Sequence, residues 1–303
     1  MRLKVAIFLF TAALFLSGCR DEWIVVPNNT PPHYGSLPTV LVENYVNRCF
    51  IDLIGREPLD RELNYCVGRL RATDYSVELR DSILRVLQSD TAYVEGDTSY
   101  QHAYFRRYYE LMKARFIEGA SDDEINSRIG VLEFYQLQDS LNGDFAGVAE
   151  NQLQIDRLRA IILTRTKSQE RLWTIDTVCR VMVNNALFDE INMNTFNFVN
   201  ASFDAMFWRY PTDNEFWTAF NMIEFNQSGV IFGGSGSNRE EFLDLMTQQL
   251  EFYEGNIIWL YNTLLARKPT TEEVVYFMDD FVQTKNFMPI QRKIMVSDEY
   301  AGF

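Results

Sequence analysis

Three segments of this chain share the pattern Arg-x-Pro-x-x-x-Glu-apolar. They are Arg56-Glu57-Pro58-Leu59-Asp60-Arg61-Glu62-Leu63, Arg209-Tyr210-Pro211-Thr212-Asp213-Asn214-Glu215-Phe216 and Arg267-Lys268-Pro269-Thr270-Thr271-Glu272-Glu273-Val274. The agreement extends upstream. Ten residues before each arginine stand Val46, Val199 and Ile257, and six before stand Phe50, Phe203 and Tyr261. Three before are Leu53, Met206 and Leu264; two before are Ile54, Phe207 and Leu265. These steps fall on one face of an α-helix. A pattern used three times implies one supersecondary unit whose apolar face is buried by stacking on its neighbours.

The physical reading of each segment is a helix-turn-helix corner. The arginine ends the first helix, where its charge favours the exposed carbonyls. Proline cannot continue that helix and sets the bend. Thr212 and Thr270 then cap the second helix, and Glu215 and Glu273 complete capping boxes. In the first copy Leu59 stands in place of threonine, so Asp60 is the expected cap, near Glu62. Arg56, Pro58, Glu62, Arg209, Pro211, Glu215, Arg267, Pro269 and Glu273 are therefore assigned to structure. The same arginines also admit an anion-binding reading, but a cap and a terminator account for every position.

Each unit closes on a further helix with a polar-aromatic tag. The tags are Ser89-Asp90-Thr91-Ala92-Tyr93 and Ser297-Asp298-Glu299-Tyr300, while the second copy departs to Gln248-Gln249-Leu250-Glu251-Phe252. With its tag, the unit resembles the helical repeats of bacterial surface proteins whose domain family has no assigned function and which look like phycobilisome linker domains. The first copy is also similar to the N-terminal part of an uncharacterised planctomycete cytochrome-associated domain family. The resemblance covers roughly residues 42–93 and 195–303. It implies a helical interaction scaffold and not a reaction.

Elsewhere apolar residues recur at three- and four-residue steps, as in Ile83, Leu84, Leu87 and in Leu153, Leu158, Ile161, Ile162. Ser121-Asp122-Asp123-Glu124 and Ser237-Asn238-Arg239-Glu240 read as capping boxes, and Gly233-Gly234-Ser235-Gly236-Ser237 as a flexible loop. Alternating strand patterns are almost absent. The expected fold class is all-α, a helical repeat or bundle built on helix-turn-helix units. The expected division is an N-terminal helical domain over 41–190 with the first repeat, and a C-terminal one over 191–303 with the second and third.

The start of the chain has a different character. Arg2 and Lys4 precede the apolar run Val5 to Leu16, the layout of a secretory signal and too short to span a bilayer. Leu16-Ser17-Gly18-Cys19 then closely resembles the lipobox of bacterial lipoproteins. In that family the signal, here 1–18, is removed, the cysteine thiol receives a diacylglycerol, and the new amine is usually acylated, palmitate being a typical chain. Each buried methylene contributes about 0.8 kcal/mol, and two or more chains anchor stably where one does not. The alternative is a plain secreted protein. Arg20-Asp21-Glu22 resembles the surface-export signal of Bacteroidota lipoproteins, which implies the cell surface. Residues 19–40 hold Pro27, Pro31, Pro32 and Pro38 and read as an extended tether. The resemblance implies a lipid-anchored outer-membrane protein attached to the bilayer by acyl chains from Cys19.

The formal charge of −14 becomes more negative once the basic signal is gone. Such a surface repels nucleic acid and anionic headgroups, so nucleic acid is not an expected partner. Cys49, Cys66 and Cys179 sit among apolar residues; Cys49 and Cys66 either pair or remain buried thiols. His33 and His102 lie far apart without ligand-spaced partners, and no metal site or cofactor is expected. Nucleophile and zinc-hydrolase motifs are missing, so no catalytic residue is assigned. The pairs Asp122-Asp123, Glu240-Glu241 and Asp279-Asp280 read as solvated helix faces.

Phe188 to Phe232 is dense in aromatics and asparagine. Several of these rings occupy core positions of the repeat, and most are expected to be buried. Phe196, Phe198 and Trp217, with Asn192, Asn194 and Asn197 nearby, are the candidates for a partner or glycan platform. Asp-Ser/Thr-apolar triplets at 81–83, 90–92, 139–141 and 176–178 resemble the O-glycosylation sequon of Bacteroidota. The expected function is a non-enzymatic accessory subunit docked on an integral outer-membrane protein complex for protein export, barrel assembly or nutrient uptake. The rivals are a surface glycan-binding module and, behind it, a helical hydrolase with opposed carboxylates across a cleft.

Overall fold

Short polar side chains mark where most helices begin. Ser76, Ser99, Ser121, Asp144, Asn185, Asn194, Thr212, Asn238, Thr270 and Ser297 each accept a hydrogen bond from a backbone N–H of the first turn. The computed structural model describes residues 37–303; the expected signal 1–18, Cys19, His33 and the expected tether as far as residue 36 lie outside the described residues. Fifteen α-helices and one short hairpin follow. The first unit is α1 (Thr39–Ile54), α2 (Asp60–Ala72) and α3 (Val77–Ser89). An inserted stretch holds α4 (Tyr100–Phe116), α5 (Asp122–Asn142), α6 (Phe145–Gln169), α7 (Ile175–Val183) and α8 (Ala186–Asn192). The second unit is α9 (Thr195–Phe207), α10 (Asp213–Phe225), strands β1 (Gly229–Ile231) and β2 (Gly234–Gly236), and α11 (Arg239–Thr247). The third is α12 (Leu250–Leu265), α13 (Thr271–Thr284), α14 (Met288–Met295) and α15 (Asp298–Ala301). The all-α class is thus observed.

Two local expectations need correction. Residues 233–237 are not simply a loop: Gly234–Gly236 pair antiparallel with Gly229–Ile231. Phe232 and Gly233 both take positive φ, as the tight turn of such a hairpin requires. The cap of α11 is Asn238 instead of Ser237, and the carboxylate reaching back is Glu241, which accepts the Ser237 N–H at 2.6 Å.

The repeat positions form the core. Val46, Phe50, Leu53, Ile54, Val199, Phe203, Met206, Phe207, Ile257, Tyr261 and Leu264 are all buried, while Leu265 is half-buried. The chain end then returns to its start. Helix α14 packs on α3 and α15 on α1. Arg48 of α1 donates to the carbonyls of Tyr300 at 2.6 Å and Leu264 at 3.1 Å, and the Tyr300 hydroxyl donates to Asp52 at 2.7 Å. The division expected between 190 and 191 therefore matches no break in packing, and Thr39–Phe303 form one compact unit. Helix α4 explains why: its Arg115 reaches across to the Ala205 carbonyl (2.8 Å) and the Asn256 side chain (2.7 Å).

Helices α5 and α6 make an antiparallel pair. Its base is held by Asp122, which accepts from Tyr109 and Lys113 of α4. Between Ile129 and Ile155 no residue of the pair is buried. Among the described residues no helix is long and apolar enough to cross a membrane.

Candidate functional site

The three corners share one hydrogen-bond pattern. In each, the arginine Nη1 donates to the carbonyl of the next residue: Glu57 at 2.9 Å, Tyr210 at 3.0 Å and Lys268 at 2.9 Å. Nη1 and Nη2 then grip the glutamate six positions on. The pairs are Arg56–Glu62 at 2.8 and 3.0 Å, Arg209–Glu215 at 2.9 and 2.8 Å, and Arg267–Glu273 at 2.8 and 2.7 Å. The same carboxylate accepts the N–H of the residue capping the second helix, Leu59, Thr212 or Thr270, at 2.7, 2.8 and 2.7 Å. The glutamate therefore closes the helix start and the turn together.

A second acid completes each corner, and the sequence pattern did not mark it. The arginine Nε donates to Asp97 at 2.6 Å in the first copy, to Glu251 in the second and to Glu299 at 2.6 Å in the third. Glu251 and Glu299 belong to the closing tags. In the first tag Thr91 stands where Glu299 stands in the third, and Asp97 supplies the charge from the following turn. An aromatic ring lies beneath each guanidinium: Phe50 at 5.6 Å, Phe203 at 5.3 Å and Tyr261 at 5.1 Å. These are the residues six before each arginine, so that position carries a cation–π contact as well as core packing.

The arginines do not lie on the last carbonyls of the first helix, as the sequence reading expected. The residue before each arginine ends the helix instead, in the left-handed conformation: Gly55 (φ 80°), Trp208 (φ 58°) and Ala266 (φ 54°). That turn swings the guanidinium past the helix end and onto the glutamate. The cap of α2 is also corrected: Leu59 holds the position, and Glu62 alone makes half a capping box.

The electrostatics follow the contacts. Arg209 and Arg267 hold the Glu215 and Glu273 carboxyls down to about 2. Burial pushes Glu62 upward, but hydrogen bonds from Arg56, the Leu59 N–H and Tyr100 outweigh it and the net direction is down. Every N–H of Arg209 and of Arg267 already has an acceptor within the protein. An external anion would find no free donor on either.

The aromatic candidates divide. Phe196 and Trp217 are exposed, and they join Phe216, Phe220 and Phe225 in one ring-to-ring cluster. Phe196 lies 4.7 Å from Phe216, Phe216 lies 5.1 Å from Trp217, Trp217 lies 5.7 Å from Phe220, and Phe220 lies 6.0 Å from Phe225. Phe198 is not part of it. It is 3% exposed, packs on Phe188 at 5.5 Å and sits under Arg239 at 4.1 Å. Two residues on from Phe196, a rotation of about 200°, Phe198 falls on the core side of α9. Asn194 is the cap of α9 and Asn192 donates to the Phe188 carbonyl at 2.8 Å, so both serve the backbone.

The clefts offer little acid chemistry. One of about 250 Å³ is lined by Phe105, Tyr108, Arg171, Trp173, Lys285 and Phe287, with no carboxylate in its wall. Another of about 290 Å³ contains Glu272, Glu273 and Glu299, the last two held by Arg267. A third of about 460 Å³ has Asp280 as its single acid. Asp52, raised by burial, lies behind Tyr300 and faces none of these clefts. Of the acidic pairs, Asp122 is tied to α4 and Glu240 to Arg157. Cys49, Cys66 and Cys179 are buried free thiols, and burial pushes Cys66 up to about 11 and Cys179 to about 12. Among the described residues no group of three or more His, Cys, Asp or Glu is placed to hold a metal ion. Of the four Asp-Ser/Thr-apolar triplets, only Asp90-Thr91-Ala92 lies outside a helix, with Thr91 exposed.

No protein-family model, curated protein or solved structure matches the chain.

Proposed function

We propose that this chain is a lipid-anchored outer-membrane protein, of the Bacteroidota lipoprotein type with phycobilisome-linker-like repeats. In this reading it acts as a helical accessory subunit of an integral outer-membrane complex, without catalysing a reaction. Acyl chains on Cys19 attach it to the bilayer, and an acidic surface turns it away from nucleic acid and towards protein. Protein export, barrel assembly and nutrient uptake are the processes that use such subunits. The observation that carries the reading is the contrast between the corners and the aromatic face. Arg209 and Arg267 are wholly committed to holding the fold, whereas Phe196, Trp217 and Phe225 present a contiguous exposed aromatic surface of the kind that anchors interfaces.

Affinity purification of the full chain from detergent extracts of native membranes tests this. An integral outer-membrane protein should come with it in fixed ratio, and Cys19→Ser should release the chain from the membrane. Isolation of the acylated chain alone would count against the reading. The same aromatic face supports a second reading, a glycan platform, since an exposed tryptophan beside phenylalanines stacks on sugar rings. Retention on polysaccharide that Trp217→Ala abolishes would favour it.

A further inference from the structure

The arm formed by α5 and α6 is built inside out. Where the two helices face one another, side-chain hydrogen bonds run between them. Gln136 donates to Gln152 at 2.9 Å, and Asn151 donates to Asp139 at 2.8 Å. Leu132 and Val148 are half-buried, but the larger exposed apolar side chains lie on the other side. Val131, Phe134, Leu137 and Leu141 follow at helical spacing on the face of α5 turned away from α6, and Phe145 continues the surface beyond the turn. Phe134 is 64% exposed, Leu141 80% and Phe145 77%. A water-facing helix normally has the opposite arrangement, with its apolar stripe on the packed side. Exposed apolar patches of this kind mark contact sites.

Charge narrows what can cover this face. Glu133 is paired with Arg159 at 2.7 Å, but beyond it, from Phe134 to Gln154, the arm carries Asp139, Asp144 and Glu150 and no lysine or arginine. Helices that lie in a bilayer interface carry basic residues on their polar face, because headgroup surfaces are anionic. A second copy of the arm would bring like charge against like charge. A protein surface of opposite sign suits both features.

We propose that this arm is a docking element whose outward face seats in an apolar groove rimmed by lysine and arginine on a partner protein. The inference rests on the accessory-subunit reading above and names a second contact surface, apart from the aromatic face of Phe196 and Trp217. The arm's base is fixed to α4 through Asp122 to Lys113 (3.0 Å) and to α8 through Arg128 to Glu190.

The test is site-specific photocross-linking in native membranes, on the full acylated chain, with benzoylphenylalanine in place of Leu137 or of Leu141. The expected product joins the arm to one protein, at a peptide whose apolar residues are flanked by lysine or arginine. Glu150→Lys, which leaves the Arg159–Glu133 pair intact, should cut the yield severalfold, and 0.5 M salt should weaken it. Cross-links to phospholipid, to another copy of this chain, or to no molecule at all overturn the proposal. Phe134→Ser with Leu141→Ser provides the second arm of the test, because both side chains are exposed and helix content should hold. If that variant still purifies with the wild-type partner, the arm inference fails and the accessory-subunit reading stands. If the wild-type chain purifies with no partner, the reading itself fails.

Discussion

Arg267 and Glu273 share two hydrogen bonds, of 2.8 and 2.7 Å, across a corner that contains a proline and a helix start. Arg56 and Glu62 make the same pair, but in a different setting. Glu62 and Asp97 around Arg56 are 5% and 8% exposed, while Glu273 and Glu299 around Arg267 are 29% and 47% exposed.

That difference ranks the corners. Removing Arg267 breaks partly solvated contacts, and Arg267→Ala should destabilise by about 1–2 kcal/mol. Arg56→Ala strands two buried carboxylates and should cost about 3–4 kcal/mol. Lysine at either position cannot reproduce the forked contact and should recover less than half the loss. Urea unfolding of the four variants checks the order; equal losses for alanine at 56 and 267 would contradict it.

Acid should loosen the second and third corners. Glu215 and Glu273 titrate at about 2 in the folded chain, because Arg209 and Arg267 hold them charged, whereas an unfolded glutamate titrates near 4.3. The lowered value means that the unfolded state takes up protons first as pH falls. The stability from these pairs is fully present above about pH 5 and is lost between about 4.3 and 2. The unfolding midpoint should fall through that window, and the fall should be shallower in Arg267→Ala.

Gly255 lies where α12 crosses α9. A Cβ there would stand 2.0 Å from the Met206 carbonyl oxygen. Backbone cannot yield as a flexible side chain does, so Gly255→Ala should force the helices apart and cost about 2–3 kcal/mol. Thermal denaturation should show a midpoint lower by several degrees. A midpoint unchanged within error would mean the helices do not approach this closely.

The residue before each corner arginine has left-handed backbone. Gly55→Ala places a Cβ at φ 80°, 3.2 Å from Arg107 Cδ, and should destabilise by about 1 kcal/mol. Ala266→Gly relieves strain of the same kind and should be neutral or stabilising by up to about 1 kcal/mol. Opposite signs for the two substitutions are the diagnostic result.

The repeat was legible because its local chemistry has fixed spacing. The Arg–Pro–Glu triplet, the threonine caps and the upstream aromatic all lie within one corner. The second acid was not legible, since the path from the arginine to it runs through connectors of different length. The second unit inserts a hairpin there, and the first reaches past its tag to Asp97. Gly55 alone announced the left-handed residue, with Trp208 and Ala266 hiding it. Phe198 could not be told from Phe196 by composition, because only the rotation of α9 separates them. The arm misled in another way: α5 has helical periodicity, but periodicity does not say whether the apolar stripe meets a neighbour or water. The absence of a break at residue 190 rests on long-range contacts such as Arg48 to Tyr300, which no local pattern encodes.

The proposed role requires the helical body to be held at the outer membrane and joined there to another protein. The most direct measurement is the native mass of the complex carrying the full acylated chain, extracted gently from its own membranes, with the first residue of the mature chain read in the same sample. The account predicts diacylglycerol on Cys19 and a particle containing an integral outer-membrane protein in fixed ratio. A solitary chain with a bare thiol at that position would contradict it.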